Sequence, residues 1–406
     1  MRILLLSLLL LAGCSTAREP SVRRPDPAPH RRPVILISID GFRADYLDRG
    51  VTPHLSALAA GGVRAAMSPA FPSITFPNHY TLVTGLRPDR HGIVGNTMED
   101  AAIPGVTFKL SDRTATRDRR WWDQAEPIWV TAEKHRIPTA TMFWPGSEAA
   151  IHGVRPTHWR RFDATVPAEK RVDRLLSWLG GRKPPEFLTL YFDEVDHNGH
   201  KDGPDSAAVD AAAQHVDAAI GRLTAGLAAR HIDADLVIVA DHGMAAISPD
   251  RVVRLDRIAP AGSYRWITGG PYAGVDVVPG HGAELTAALA AAHDHVHCWP
   301  KAALPARFHY GHNPRVPDII CLADIGWTIA NGPPGDGKDP DKGGHGFDPA
   351  APEMQAIFIA NGPDFVPAVL PGFDNVDVYP LVMALLGIAP LPNDGTLAPF
   401  AGALRR

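Results

Sequence analysis

Four short apolar, β-branched runs punctuate the chain, and each stops at polar residues. Val34-Ile35-Leu36-Ile37-Ser38-Ile39 lies between Pro33 and Asp40-Gly41. Phe187-Leu188-Thr189-Leu190-Tyr191-Phe192 follows Pro184-Pro185 and ends at an acidic cluster. Leu236-Val237-Ile238-Val239-Ala240 runs into Asp241-His242-Gly243, and Ala356-Ile357-Phe358-Ile359-Ala360 into Asn361-Gly362. Runs of this length with little polar alternation predict strands buried on both faces. Helical patterns over residues 52–60, 78–84, 168–179 and 206–229 fill the intervals. Strands alternating with helices predict an α/β fold with a mainly parallel sheet and right-handed crossovers. In such sheets ligands collect beyond the carboxyl ends of the strands, and three of these runs are followed there by Asp or His.

The rhythm changes over about residues 249–341, where a helix near residues 284–292, the stretch Asp294-His295-Val296-His297 and a strand-like run Asp318-Ile319-Ile320-Cys321-Leu322 predict a small inserted α+β subdomain packed on the same sheet. Residues 331–344, rich in Gly, Pro, Asp and Lys, predict a mobile loop. The catalytic domain is expected to span residues 34–390, leaving 391–406 as a C-terminal tail.

With 406 residues, 45% hydrophobic and 21% charged, the chain has the composition of an ordinary globular enzyme. A net charge of −4 and the lack of a basic stripe in the sequence argue against a nucleic-acid-binding surface. At the start, Met1-Arg2 and an apolar run over residues 3–12 are too short to span a bilayer and predict a signal peptide. Leu11-Ala12-Gly13-Cys14 resembles the bacterial lipobox, which implies a lipid on Cys14, and Ser15 after it favours the outer membrane, facing the periplasm; plain secretion is the alternative. Residues 15–33, rich in Arg, Pro, Ala and Ser, predict a disordered tether. Cys298 and Cys321 then remain, either as a disulfide or as two buried thiols.

Candidate chemistry lies at the ends of the predicted strands. Asp40 follows the first; alone, Asp-Gly also makes an ordinary turn. Asp196 and His200, at i and i+4, can share one face of a helical turn and clamp a metal, with Asp193 and Glu194 as rival carboxylates. Asp241 and His242 follow a buried strand directly, and His345 sits in Gly343-Gly344-His345-Gly346, where glycines let the backbone approach a site closely. These six residues supply three carboxylates and three imidazoles. Mixed N/O ligation without thiolate suits zinc, with manganese or iron as alternatives. Six ligands divide into two three-ligand sites, and two metals roughly 3.5–4 Å apart would clamp the entering and departing oxygens of a phosphoryl displacement. Thr75, in Ser73-Ile74-Thr75-Phe76-Pro77-Asn78-His79, would be a helix N-cap if read alone. Beside two metals its hydroxyl becomes a nucleophile that needs no histidine base, and the helix expected near Pro77 would offer backbone N–H donors to a phosphate.

In order and spacing, Asp40-Gly41, Thr75-Phe76-Pro77-Asn78-His79, Gly92-Ile93-Val94-Gly95-Asn96, Asp196-x3-His200, Asp241-His242-Gly243-Met244 and Gly344-His345-Gly346 resemble the nucleotide pyrophosphatase/phosphodiesterase family of the alkaline phosphatase superfamily, its bacterial members in particular. Glu126-Pro127-Ile128-Trp129, Phe143-Trp144-Pro145-Gly146 and residues 308–324 look similar too. The resemblance implies a three-layer α/β/α fold and two Zn2+ per chain, one held by Asp196, His200 and His345, the other by Asp40, Asp241 and His242. It implies that Thr75 is the nucleophile, that Asn96 donates to a phosphoryl oxygen, and that Phe76 and Tyr191 flank the substrate's base or leaving portion. The expected reaction converts nucleotide phosphoanhydrides and phosphodiesters to nucleoside 5′-monophosphates through a phosphothreonine. Lipid-headgroup or choline-type diesters and phosphomonoesters are the alternative substrates. A zinc-binding lipoprotein without catalysis is the non-enzyme alternative, and Thr75 with Asn96 speaks against it.

Overall fold

The structure is a computed structural model that describes residues 32–333 and 339–405. The signal peptide, Cys14, nearly all of the tether, and residues 334–338 of the predicted loop therefore lie outside the described residues.

The buried runs assemble into a nine-stranded sheet. Val34–Ile39 lies at its middle, parallel to Phe187–Phe192 on one side and to Asp235–Val239 on the other. Thr139–Met142 and then His158–Trp159 extend the first side in parallel. Ala356–Asn361 extends the other, antiparallel both to Asp235–Val239 and to Val63–Ser68. Two short strands, Ala368–Val369 and Phe373–Asp374, pair with Val63–Ser68 in parallel. Every residue of the Val34–Ile39, Phe187–Phe192 and Asp235–Val239 strands is buried, which is why the sequence there shows no alternation. The reversed direction of Ala356–Asn361 follows from its approach: only a short 3-10 turn, Pro352–Met354, separates it from the His345 segment at the carboxyl edge. A parallel return would need a crossover of about a dozen residues or more.

Helices cover the sheet. Ala168–Leu179 buries Val172, Leu175, Leu176, Trp178 and Leu179 on one face. Ala207–Ala228 begins at Ser206, whose hydroxyl accepts from the Val209 N–H, as N-cap serines do. Residues 245–354 contribute a second hydrophobic cluster around a four-stranded antiparallel sheet, Tyr264–Thr268, Tyr272–Val277, Ile319–Ala323 and Val296–Pro300. There Cys298 and Cys321 face each other across neighbouring strands and are joined by a disulfide. Beyond residue 390 the chain returns to the core, with Phe400 fully buried against Phe358 and Phe373. The fold also gathers what the sequence disperses: Arg160, Arg161, Lys170 and Arg174 line one groove, a basic surface not evident along the chain.

One buried carboxyl far from the active end gives a pH prediction. Burial pushes Asp235 up to about 6, with the Asp364 charge adding to this and the Asp364 N–H opposing it. A carboxyl raised on folding contributes stability in full below its unfolded value near 3.9 and loses it as pH rises through 6. Asp235→Asn, which cannot ionise, should therefore gain stability relative to the parent between pH 4 and pH 6.5 and hold that gain above. Urea unfolding of both proteins across that range checks the sign; a difference independent of pH would refute it.

Candidate active site

The site forms where the central strands end. Asp40 leaves Val34–Ile39, with its N–H bonded to the Phe192 carbonyl at 2.9 Å, and Asp241-His242 leaves the neighbouring strand. Asp196 and His200 share the helix Glu194–Asp202 that follows Phe187–Phe192, so the i, i+4 spacing does place them on one turn. His345 arrives from the far side on the Gly343–Gly344 strand. A Cβ on Gly343 would stand 2.2 Å from the Gly199 carbonyl oxygen, so only glycine lets this segment lie against the helix.

All six predicted ligands converge. Asp196, His200 and His345 form one cluster, Asp40, Asp196 and His242 a second, and Asp40, His79 and Asp241 a third, the donor atoms within each lying within 4.8 Å of one another. Asp40 and Asp241 are thus close enough to share a cation, with Asp196 also in reach of the Asp40 side. The imidazoles are oriented alike. His200 Nδ1 donates to the Gly343 carbonyl at 2.9 Å, His345 Nδ1 to the Ser73 carbonyl at 3.1 Å, and His242 Nδ1 to the Gly243 carbonyl at 2.9 Å. In the neutral ring each bond fixes the tautomer and leaves Nε2 with a lone pair, although, against burial, Asp241 draws the His242 ring toward its protonated form. Two of these lone-pair nitrogens, on His200 and His345, face each other at 3.1 Å, an arrangement that calls for a cation. Asp40 Oδ1, Asp196 Oδ1 and Asp241 Oδ2 are buried without a hydrogen-bond partner, and groups of this kind are costly unless an ion satisfies them. The donor set and these orphaned oxygens fit divalent cations.

Titration follows the same crowding. Burial, then the charges of Asp241 and Asp196, push Asp40 well above the usual carboxylate range although the Tyr191 hydroxyl donates to it. Burial would raise Asp241 too, but His242 and His79 beside it hold it well below. Burial together with the neighbouring His242 and His200 holds His345 far below an ordinary imidazole, so it stays a neutral donor. Without cations the protein compensates the carboxylates only in part.

Thr75 opens the helix Thr75–Thr84 as its first residue. The N-cap is Ile74, which makes no side-chain cap, so the threonine hydroxyl is not a capping group. Instead Thr75 Oγ1 lies 3.3 Å from His242 Nε2. Asn96 Oδ1 accepts the Phe76 N–H at 2.9 Å, leaving its NH2 as a donor. Phe76, Asn96, Trp144, Phe162 and Tyr191 line, with Asp40, Asp196, His200 and His345, a cleft of about 530 Å³. Tyr191 is only 8% exposed and its hydroxyl donates to Asp40 Oδ2 at 2.6 Å. It supports a ligand as well as lining the cleft. Phe162, 37% exposed, adds a more open aromatic face.

Two residues escaped the sequence reading. His79 stands between Ser38 Oγ, 2.8 Å from its Nε2, and the Thr75 carbonyl, 2.9 Å from its Nδ1, with Asp241 Oδ2 at 3.4 Å. Both ring nitrogens are engaged, so His79 braces the Thr75 turn and the Asp241 carboxylate. Asn78 clamps that turn: Oδ1 accepts from the Ala70 N–H and from Asn375 Nδ2, and Nδ2 donates to the carbonyls of Pro72 and Ile74. Their only sequence signal was adjacency to Thr75.

A cluster of carboxylates and imidazoles at the carboxyl edge of an α/β sheet, with a hydroxyl against it, defines a metal-dependent hydrolase. The sequence profile of the type I phosphodiesterase/nucleotide pyrophosphatase family matches residues 34–348. A pyrophosphatase/phosphodiesterase of Schizosaccharomyces pombe, itself uncharacterised, is 38% identical over 395 residues, covering 91% of this chain and 79% of that one. Human bis(5′-adenosyl)-triphosphatase is 36% identical over 371 residues, covering 89% and 80%. The solved structure of human ectonucleotide pyrophosphatase/phosphodiesterase 5 superposes with a TM-score of 0.87 at 34% identity, covering 92% of this chain and all of that one. An inactive threonine-to-alanine form of the murine counterpart, in complex with AMP, matches equally well. The chain belongs to the type I phosphodiesterase/nucleotide pyrophosphatase family, within the alkaline phosphatase superfamily. It is accordingly a metal-dependent hydrolase of phosphoric diester and diphosphate bonds, built on the α/β fold with a mainly parallel sheet that the sequence implied.

Proposed function

We propose that the protein is a two-zinc nucleotide pyrophosphatase/phosphodiesterase that releases nucleoside 5′-monophosphates through a covalent intermediate on Thr75. The observation that carries this reading is the fixed tautomer of three histidines whose Nε2 atoms converge with orphaned carboxylate oxygens beside the Thr75 hydroxyl. Asp196, His200 and His345 would hold one ion, and Asp40, Asp241 and His242 the other. Bound there, the ions neutralise phosphoryl charge and lower the pKa of a coordinated hydroxyl.

The remaining work falls to the chain. Thr75 Oγ forms a bond to phosphorus as the bond to the leaving oxygen breaks, giving a phosphothreonine that carries the nucleotide. Water then displaces Thr75 in a second in-line step. Asn96 Nδ2 donates to a phosphoryl oxygen beside Thr75, the helix amino end stabilises its charge, and Phe76 and Phe162 receive the base, with Tyr191 behind them. AMP in the murine relative supports a nucleotide as the small-molecule substrate. The chain would work in the periplasm, lipid-anchored through Cys14 to the outer membrane. The Cys298–Cys321 disulfide supports an oxidising compartment, and no helix of the described residues is long and apolar enough to cross a membrane.

A substrate panel of ATP, dinucleotides, cyclic dinucleotides and glycerophosphocholine, with product analysis, tests the reading. Nucleoside 5′-monophosphate should be the common product, and faster hydrolysis of a phosphomonoester than of a bis-aryl diester would overturn it. Removing one supporting hydrogen bond has a narrower effect. Tyr191→Phe leaves Asp40 without its donor and should weaken metal retention about 10–100-fold, read by chelator competition; unchanged retention would show that the bond does not tune the ligand.

A further inference from the structure

The groove lined by Arg160, Arg161, Lys170 and Arg174 encloses about 730 Å³ and shares a wall with the active-site cleft. Phe143 faces the groove and Trp144 the cleft; Arg161 and Asp163 face the groove and Phe162 the cleft. Lys170 and Arg174 stand one turn apart on the exposed side of the helix Ala168–Leu179, whose other side is core.

The groove's four cations outnumber its two acids, Asp163 and Asp173. Asp163 Oδ1 accepts from the Thr165 N–H and hydroxyl. Asp173 is taken by Arg222 at 2.6 Å, with Lys170 farther off at 3.8 Å. The Arg160 guanidinium donates to the Trp159 carbonyl and lies over Trp178, and among the described residues neither Arg161 nor Arg174 has a carboxylate within ion-pair distance. In a chain of net charge −4, exposed guanidinium groups without carboxylate partners among the described residues, beside an apolar floor of Met142, Phe143 and Val166, are suited to phosphate oxygens. The cations continue into the cleft, where Arg113 lines the wall.

We propose that this groove is a second phosphate-binding subsite, which takes the phosphates that a substrate carries beyond the bond being cut. The proposal rests on the nucleotide reading above and adds to it a preference for leaving groups with further negative charge. The phosphates could come from a polyphosphate chain or from the next nucleotides of a single strand, and one experiment separates these sources.

Arg161 and Arg174 touch neither the ligands nor the cleft, so R161E/R174E should leave hydrolysis of an aryl ester of thymidine 5′-monophosphate, whose leaving group has no phosphate, at the parent rate. On a dinucleoside tetraphosphate or a single-stranded tetranucleotide, kcat/KM should fall about tenfold. The salt dependence should also flatten, by about 0.7 in log–log slope for each strand phosphate released. Selective loss on the tetraphosphate identifies a polyphosphate chain, and selective loss on the tetranucleotide a strand. Equal rates for parent and variant on all three substrates, or equal loss on all three, would overturn the subsite. Parent activity on the aryl ester separates that failure from a failure of the nucleotide reading itself.

Discussion

Thr75→Ala should abolish turnover while leaving both metals in place. Alanine removes the hydroxyl and the γ-methyl; the hydroxyl makes no helix cap, so the fold loses no hydrogen bond on which the helix Thr75–Thr84 depends. The turn beneath it stays clamped by Asn78 and braced by His79. None of the six predicted ligands is altered, so metal analysis should still return about two ions per chain, the stoichiometry of a two-metal clamp. Deleting a nucleophile that enters a covalent bond costs on the order of 10⁴-fold or more in kcat. Thr75→Ser, which keeps a hydroxyl at the same place, should recover a large part of the rate. Steady-state kinetics with metal analysis on the three proteins decides the matter: an active alanine variant with full metal removes the threonine from the mechanism.

Stripping the metals should cost both activity and stability. Asp40, Asp196 and Asp241 each hold a buried oxygen with no partner, and Asp40 is driven toward its neutral form by burial and by the two other carboxylates. A cation that binds only the folded chain stabilises it by about 4 kcal/mol at a thousandfold excess over its Kd, which corresponds to a fall in Tm on the order of 5–10 °C on chelation in a chain of this size. Zinc added back should restore Tm and turnover together. Calorimetry on chelated and reloaded protein reads the first, and diester hydrolysis the second. A chelated protein that keeps its Tm and its rate would mean that the cluster holds no ion that matters.

Three of the candidate ligands were legible because they follow a buried run closely. A strand with no polar alternation must be covered on both faces, so the first polar residues beyond it stand at the sheet's edge, where Asp40, Asp241 and His242 are. Asp196 and His200 were legible from helical spacing, and His345 from the glycines that let it approach. What stayed hidden depends on partners distant in sequence. His79 acquires its role only when Ser38 and Asp241 arrive beside it, and Asn78 when Asn375 does. Tyr191 read as a wall of the cleft, but its hydroxyl meets Asp40 because two neighbouring parallel strands end together. The basic groove needs residues 160–161 brought against the exposed side of a helix whose apolar stripe alone shows in the sequence.

The central claim is that phosphorus is attacked twice, first by Thr75 and then by water. Hydrolysis of a chiral phosphorothioate diester in ¹⁸O-water reads this at the phosphorus atom itself. Two in-line displacements predict net retention of configuration in the nucleoside 5′-phosphorothioate released; net inversion would mean a single direct attack by water and would contradict the account.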